Sequence, residues 1–194
     1  MQSRSYYLVN AITLCRIVAA PVLIVLALTG NLNVFKWLLP ISFLTDLIDG
    51  TLARELQVTS VFGSKLDSIG DDLSFVAAAV GVFAFKLDFI LHNIIIIISL
   101  IGLYLFETIS ALVKYGKITS FHTYLAKLAA ILQGCFLILL FLLPSPIYWL
   151  FYAATFLTIA DILEEIIILF YLPVWEADVK GLFWVMQKRK GKNE

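Results

Sequence analysis

The chain has 194 residues, 61% of them hydrophobic and only 14% charged, with 14 Lys and Arg balanced by 14 Asp and Glu. Soluble domains carry about 25% charged residues, so too little polar material is present to cover a globule, and a mean hydropathy of +0.96 points to a bilayer as the solvent. Zero net charge excludes any general electrostatic attraction to nucleic acid.

Apolar runs of roughly 20 residues mark spanning helices. They predict an all-α integral membrane protein with six transmembrane helices, near Leu8–Thr29, Phe35–Arg54, Lys65–Phe85, Leu87–Lys114, Thr123–Leu143 and Ile147–Leu172. The first run resembles a signal peptide in length, with Arg4 as a basic flank. However, Asn10 and Arg16 interrupt it and no small-x-small cleavage site follows, so the first helix is expected to be retained. The breaks fall at residues 29–33, at Lys86–Asp88, at Lys114–Ser120 and at Pro144-Ser145-Pro146. No internal repeat or composition shift divides the chain, which reads as a single domain over 1–194.

Six spans put both termini on one side. Twelve of the fourteen Lys and Arg then share that side, with only Lys36 and Lys86 opposite, so the positive-inside rule makes it the cytoplasm. From Val174 to Trp184 the chain mixes Trp and Phe with charges, and Lys188, Arg189, Lys190 and Lys192 follow. This reads as a short interfacial C-terminal segment lying on an anionic leaflet. Cys15 and Cys135 sit in apolar runs and read as small core residues rather than a disulfide or a metal site.

The second and third helices hold acids that a bilayer should disfavour: Asp46, Asp49, Asp67, Asp71 and Asp72, with Arg54 close by. Asp46 and Asp49 are three residues apart and Asp67 and Asp71 four, so each pair shares a helix face. The short link after Glu55 makes the two helices antiparallel neighbours whose acidic faces can meet. Four carboxylates at one depth repel, and hard divalent cations such as magnesium or manganese suit them. Capping of helix ends at the headgroup level explains single aspartates but not the set.

The run Asp46-Leu47-Ile48-Asp49-Gly50-Thr51-Leu52-Ala53-Arg54, followed after eight residues by Gly63-Ser64-Lys65-Leu66-Asp67-Ser68-Ile69-Gly70-Asp71, resembles the signature of the CDP-alcohol phosphatidyltransferase family, D-x2-D-G-x2-A-R-x8-G-x3-D-x3-D. All eight fixed positions are filled, and Asn10 to Arg16 with Pro21 is similar to the first-helix pattern of bacterial members. The resemblance implies a phospholipid-synthesis enzyme of the cytoplasmic (inner) membrane. It would move a phosphatidyl group from CDP-diacylglycerol to an alcohol, with release of CMP. It further implies that Asp46, Asp49, Asp67 and Asp71 hold a Mg2+ or Mn2+ pair, that Asp71 is the general base, that Gly50, Ala53, Arg54 and Gly63 line the CDP site, and that the enzyme is a homodimer.

The acceptor is read from a basic cluster at the cytoplasmic link between the fourth and fifth spans: Lys114, Lys117, His122 and Lys127. It suits a phosphorylated polyol such as inositol phosphate or glycerol phosphate, with an uncharged or amino alcohol (inositol, serine) as the alternative. Residues 120–127 lack the Gly-Lys-x-Lys-Thr pattern associated with phosphatidylglycerophosphate synthases. Glu107, Asp161, Glu164 and Glu165 have no role in the resemblance; pairing with Lys127 or His122, or a polar dimer contact, would account for them. A cation-coupled carrier also needs buried acids, but it expects broken helices in paired halves and leaves Gly50, Ala53, Arg54 and Gly63 unexplained.

Overall fold

The computed structural model describes residues 4–56, 61–119, 121 and 123–190, and among them the regular structure is entirely helical. In chain order the helices are α1 (Arg4–Leu28), α2 (Leu32–Glu55), α3 (Val61–Phe85), α4 (Leu87–His92), α5 (Ile94–Tyr115), α6 (Tyr124–Leu142), α7 (Tyr148–Tyr171) and α8 (Leu182–Lys190). Five of the six expected spans match α1, α2, α3, α6 and α7 to within four residues at each end. The fourth does not, because the chain leaves the helical region at Asn93 (φ −112°, ψ 20°) and restarts as α5. Asn favours such boundaries because its side chain competes with the helical backbone. The C-terminal segment contains a further short helix, α8.

By length and composition three stretches among the described residues can cross a membrane, Asn10–Leu28, Ile94–Tyr115 and Tyr124–Leu142, and Leu32–Thr45 is a shorter apolar helix. The remaining long helices, α2, α3 and α7, have 24, 25 and 24 residues. Their apolar runs are interrupted by Asp46 and Asp49, by Asp67, Asp71 and Asp72, and by Asp161, Glu164 and Glu165. Large side chains such as Val25, Trp37, Ile95, Val113, Phe156 and Phe170 point outward. An apolar exterior of this kind belongs to a membrane protein.

The helices form two compact units, Met1–His92 with Phe141–Pro144, and Asn93–Leu140 with Ser145–Glu194. In the first, α1 packs against both α2 and α3 more extensively than those two pack against each other. Thr13, Arg16, Ala20, Leu23 and Ala27 recur every three or four residues and form its buried stripe. The buried small residues of α3 are Gly70, Ser74, Ala77, Ala78 and Gly81; Gly70 meets Arg16 of α1, while Ser74 and Gly81 meet Ser42 and Phe35 of α2, and such residues let backbones approach where no hydrophobic effect drives helices together. Phe35 fills the space above Gly81 and packs against Phe85 with ring centroids 5.3 Å apart. Gly30, at φ +75°, turns the chain from α1 into α2, a conformation that suits a residue without Cβ.

In the second unit α5 and α8 pack on α7, and Ala111, Phe121, Ile168, Leu169, Leu172, Val179 and Val185 form its buried cluster. Gly116 at φ +66° ends α5 and returns its N–H to the Leu112 carbonyl. Cys15 and Cys135, expected in the packed interior, are exposed on α1 and α6. A thiol loses little there, since lipid is as apolar as a core.

Candidate active site

The candidate site lies in the first unit, on the face of α3 that α1 covers. Asp67 and Asp71 stand one helical turn apart, and the Arg16 side chain, itself 0% exposed, reaches both. Arg16 Nη2 lies 2.7 Å from Asp67 Oδ1 and 3.3 Å from Asp71 Oδ1. It also donates to the Asp67 main-chain carbonyl at 3.1 Å. Gly70 sits between the two acids: a Cβ there would come within 2.7 Å of Arg16 Nε and 2.9 Å of Nη2, so a larger residue would push the guanidinium from its place. Asp72, one residue on, is turned away from the face that Asp67 and Asp71 share and is exposed.

The register of α2 against α3 follows from Ser42 and Ser74, whose buried hydroxyls lie 3.4 Å apart. Each is thirteen residues from the end of its helix nearest the connecting segment, so the helices run antiparallel. Four residues along α2 from Ser42 is Asp46, and four back along α3 from Ser74 is Gly70; seven gives Asp49 and Asp67. The equal rise of the two helices therefore brings these main-chain positions to matching heights. Asp46, Asp49, Gly50, Ala53 and Arg54 are on α2, but their side chains lie outside the described residues. Gly63 is half-buried in the first turn of α3.

Hard carboxylate oxygens one turn apart, on side chains 42% and 53% exposed, fit a divalent cation in donor type and access. Among the described residues no three His, Cys, Asp or Glu gather as a complete metal site, and the side chains of Asp46 and Asp49 are not among those described.

The expected acceptor residues belong to the second unit. Lys114 Nζ donates to the Leu169 carbonyl at 2.6 Å, and Tyr115 Oη to the carbonyls of Leu169 and Leu172 at 3.2 and 2.6 Å. Both side chains thus satisfy the carbonyls that a helix C-terminus leaves open, here that of α7. Lys117 Nζ sits 4.9 Å from the Trp175 ring centre, and the exposed Lys127 has its Nζ 5.6 Å from that of Tyr124. His122 lies outside the described residues. Nothing in this geometry gathers the three lysines on one point.

Three of the four acids that had no role, Asp161, Glu107 and Glu164, receive one. Thr123 Oγ1 donates to Asp161 Oδ1 at 2.8 Å and accepts the Ala126 N–H, capping α6. Buried Glu107 accepts the Thr119 hydroxyl at 2.7 Å, and Glu164 Oε1 accepts the Leu182 N–H at 2.8 Å, where α8 begins. Asp161 is thus engaged by a threonine and not by Lys127.

Arg16 is the residue that sequence reasoning passed over. In the sequence it reads only as an interruption of the first apolar run and as part of the first-helix pattern. The available signal was the one used for the aspartates: a charge inside an apolar helix must find a partner.

The family model described as CDP-alcohol phosphatidyltransferase matches residues 6–162, most of the chain and all of the residues just placed on α1, α2 and α3. No solved structure matches.

Proposed function

The chain belongs to the CDP-alcohol phosphatidyltransferase family, and from that premise we propose that it takes CDP-diacylglycerol from the bilayer, transfers the phosphatidyl group to an alcohol acceptor and releases CMP. Membership makes it a phosphotransferase of phospholipid biosynthesis, acting between a CDP-alcohol and an acceptor alcohol in a family that generally depends on a divalent metal. The observation that carries the reading is the pairing of Asp67 and Asp71 on one face of α3, with Asp46 and Asp49 at matching heights on α2.

In this reading Asp46, Asp49, Asp67 and Asp71 hold Mg2+ or Mn2+, two ions, whose charge when bound offsets that of the diphosphate and of the departing CMP. Asp71 accepts the proton of the acceptor hydroxyl as that oxygen attacks the phosphorus bearing the lipid, and the bond from that phosphorus to CMP breaks. Arg54 supplies fixed positive charge beside the nucleotide. Gly50, Ala53 and Gly63 are small enough for CDP to approach the backbone. The diacylglycerol tails remain in the bilayer. A phosphate on the acceptor is held by Lys114, Lys117, His122 and Lys127, which favours a phosphorylated polyol.

The working protein is a single domain of six spans, α1, α2, α3, α5, α6 and α7, in the cytoplasmic membrane, with the active site and both termini facing the cytoplasm. It acts as a homodimer, by analogy with its family. The test is an acceptor screen: purified protein in detergent with CDP-diacylglycerol, Mg2+ or Mn2+ and single alcohols, following CMP release. Turnover with inositol phosphate or glycerol phosphate supports the full reading. Turnover with free inositol or serine alone keeps the reaction and removes the phosphate pocket. No CMP with any acceptor retires the activity.

A further inference from the structure

We infer that Arg16 is a positioning residue of the active site, a fixed cation on α1 that sets the Asp67 and Asp71 carboxylates for metal binding, and that Gly70 is the clearance it requires. The inference rests on the proposed role of those aspartates as metal ligands, and adds to it a residue from a different helix and outside the acidic signature.

Arg16 belongs to the buried stripe of α1 and is among the largest fully buried side chains of the chain. A guanidinium has five donors in a planar fork and cannot shed its charge. Leaving such a group buried without its carboxylates is strongly destabilising, so its partners are fixed by need. Among the described residues those partners include Asp67 Oδ1 at 2.7 Å, the Asp67 carbonyl at 3.1 Å and Asp71 Oδ1 at 3.3 Å, which share Nη2. One donor therefore ties the two acids to each other and to the main chain of the turn that carries them.

The guanidinium lies against Gly70, where a Cβ would stand 2.7 Å from Nε and 3.2 Å from Cζ, so any larger residue must displace it. The guanidinium is fully buried on α1 and stays beside the two carboxylates when a cation arrives. It remains as the outer partner of the ligating carboxylates. Such partners fix ligand orientation, and their loss typically costs about 10–100-fold in metal affinity or activity. Electrostatics alone predicts the reverse: a nearby positive charge disfavours a second cation, so deleting it would tighten metal binding. The sign of the effect separates positioning from mere charge balance.

The experiment measures Mn2+ binding to the purified protein in detergent, by the paramagnetic resonance of free Mn2+, alongside kcat and KM for CDP-diacylglycerol. Arg16→Met is expected to weaken Mn2+ roughly 10–100-fold and to lower kcat, with the lipid KM changed far less. Arg16→Lys, which keeps the charge without the fork, should recover only part of the loss. Gly70→Ala retains every charged group and should weaken Mn2+ in the same direction, and it decides the matter if Arg16→Met does not elute as folded protein. Unchanged or tightened Mn2+ binding in Gly70→Ala and Arg16→Met, or full recovery in Arg16→Lys, overturns the inference. Asp67→Asn is the control. If it loses Mn2+ while the Arg16 and Gly70 variants do not, the inference fails alone. If it binds Mn2+ as before, the metal-site reading fails and the inference with it.

Discussion

Ser42 of α2 and Ser74 of α3 meet at 3.4 Å inside the first unit, and both are almost completely buried. Hydroxyls in such a place need each other or the backbone, and both belong to short side chains that let the helices come close. The pair lies one turn from Asp46 on one helix and one turn from Gly70 on the other. It is a polar latch at the level where the acidic pairs begin.

Ser74→Leu should therefore disturb the site without touching any charged residue. Overpacking a tight contact costs about 1–3 kcal/mol, and here the strain is relieved by sliding or spreading α2 from α3. The expected outcome is a fall in turnover larger than the fall in thermal stability in detergent. Ser74→Ala removes only the hydrogen bond, worth about 0.5–1.5 kcal/mol, and should retain most activity. Equal activity in Ser74→Leu and the parent would show that the helix register does not govern the site.

Metal removal is the most direct test of the acidic set. Carboxylates drawn together at one depth repel unless divalent charge offsets them, and one buried Arg16 leaves net negative charge on the two acids it touches. Activity should vanish in excess chelator and return on adding Mg2+ or Mn2+. Full turnover in the chelator would remove the metal from the mechanism.

The base can be tested by Asp71→Asn, which keeps shape and loses the proton acceptor. Turnover should fall by roughly a hundredfold or more, within the range for general bases, while CDP-lipid binding changes less. Asp72→Asn is the matched comparison, since Asp72 projects from another side of α3. A normal Asp71→Asn beside a dead Asp72→Asn would move the role by one residue.

Much of this was legible in the sequence, and the reasons differ by element. The long helices could be read because apolar runs and their polar breaks are properties of composition, and the acids because charge in such a run is rare. The break at Asn93 was hidden because six helical residues and the apolar run after them share one hydropathy signal. The contact of Arg16 with Asp67 and Asp71 joins residues 51 or more positions apart. No local pattern encodes it, although the need of a buried arginine for a partner does. The contacts of the acceptor lysines were hidden for a related reason. Proximity in sequence says nothing of where a flexible lysine spends its charge, and Lys114 spends it on the end of α7.

That difference among the lysines gives the last prediction. Lys114 is anchored on a main-chain carbonyl, and Lys117 lies against Trp175. Lys127 is exposed in the first turn of α6, near the ring of Tyr124, so it is the lysine freest to meet a substrate. Lys127→Met keeps the apolar stem and deletes only the ammonium, which limits packing effects. If Lys127 holds a phosphate on the acceptor, the acceptor KM should rise roughly tenfold to hundredfold, the equivalent of a charge-assisted bond of about 1.5–3 kcal/mol. The KM for CDP-diacylglycerol should stay nearly constant, since that site is assigned to α2 and α3. Lys114→Met offers the contrast: losing its bond to Leu169 should lower thermal stability whatever the acceptor. An unaltered acceptor KM in Lys127→Met would retire the phosphate pocket and direct the search to uncharged or amino alcohols. A changed lipid KM instead would place Lys127 at the CDP-lipid and not at the acceptor.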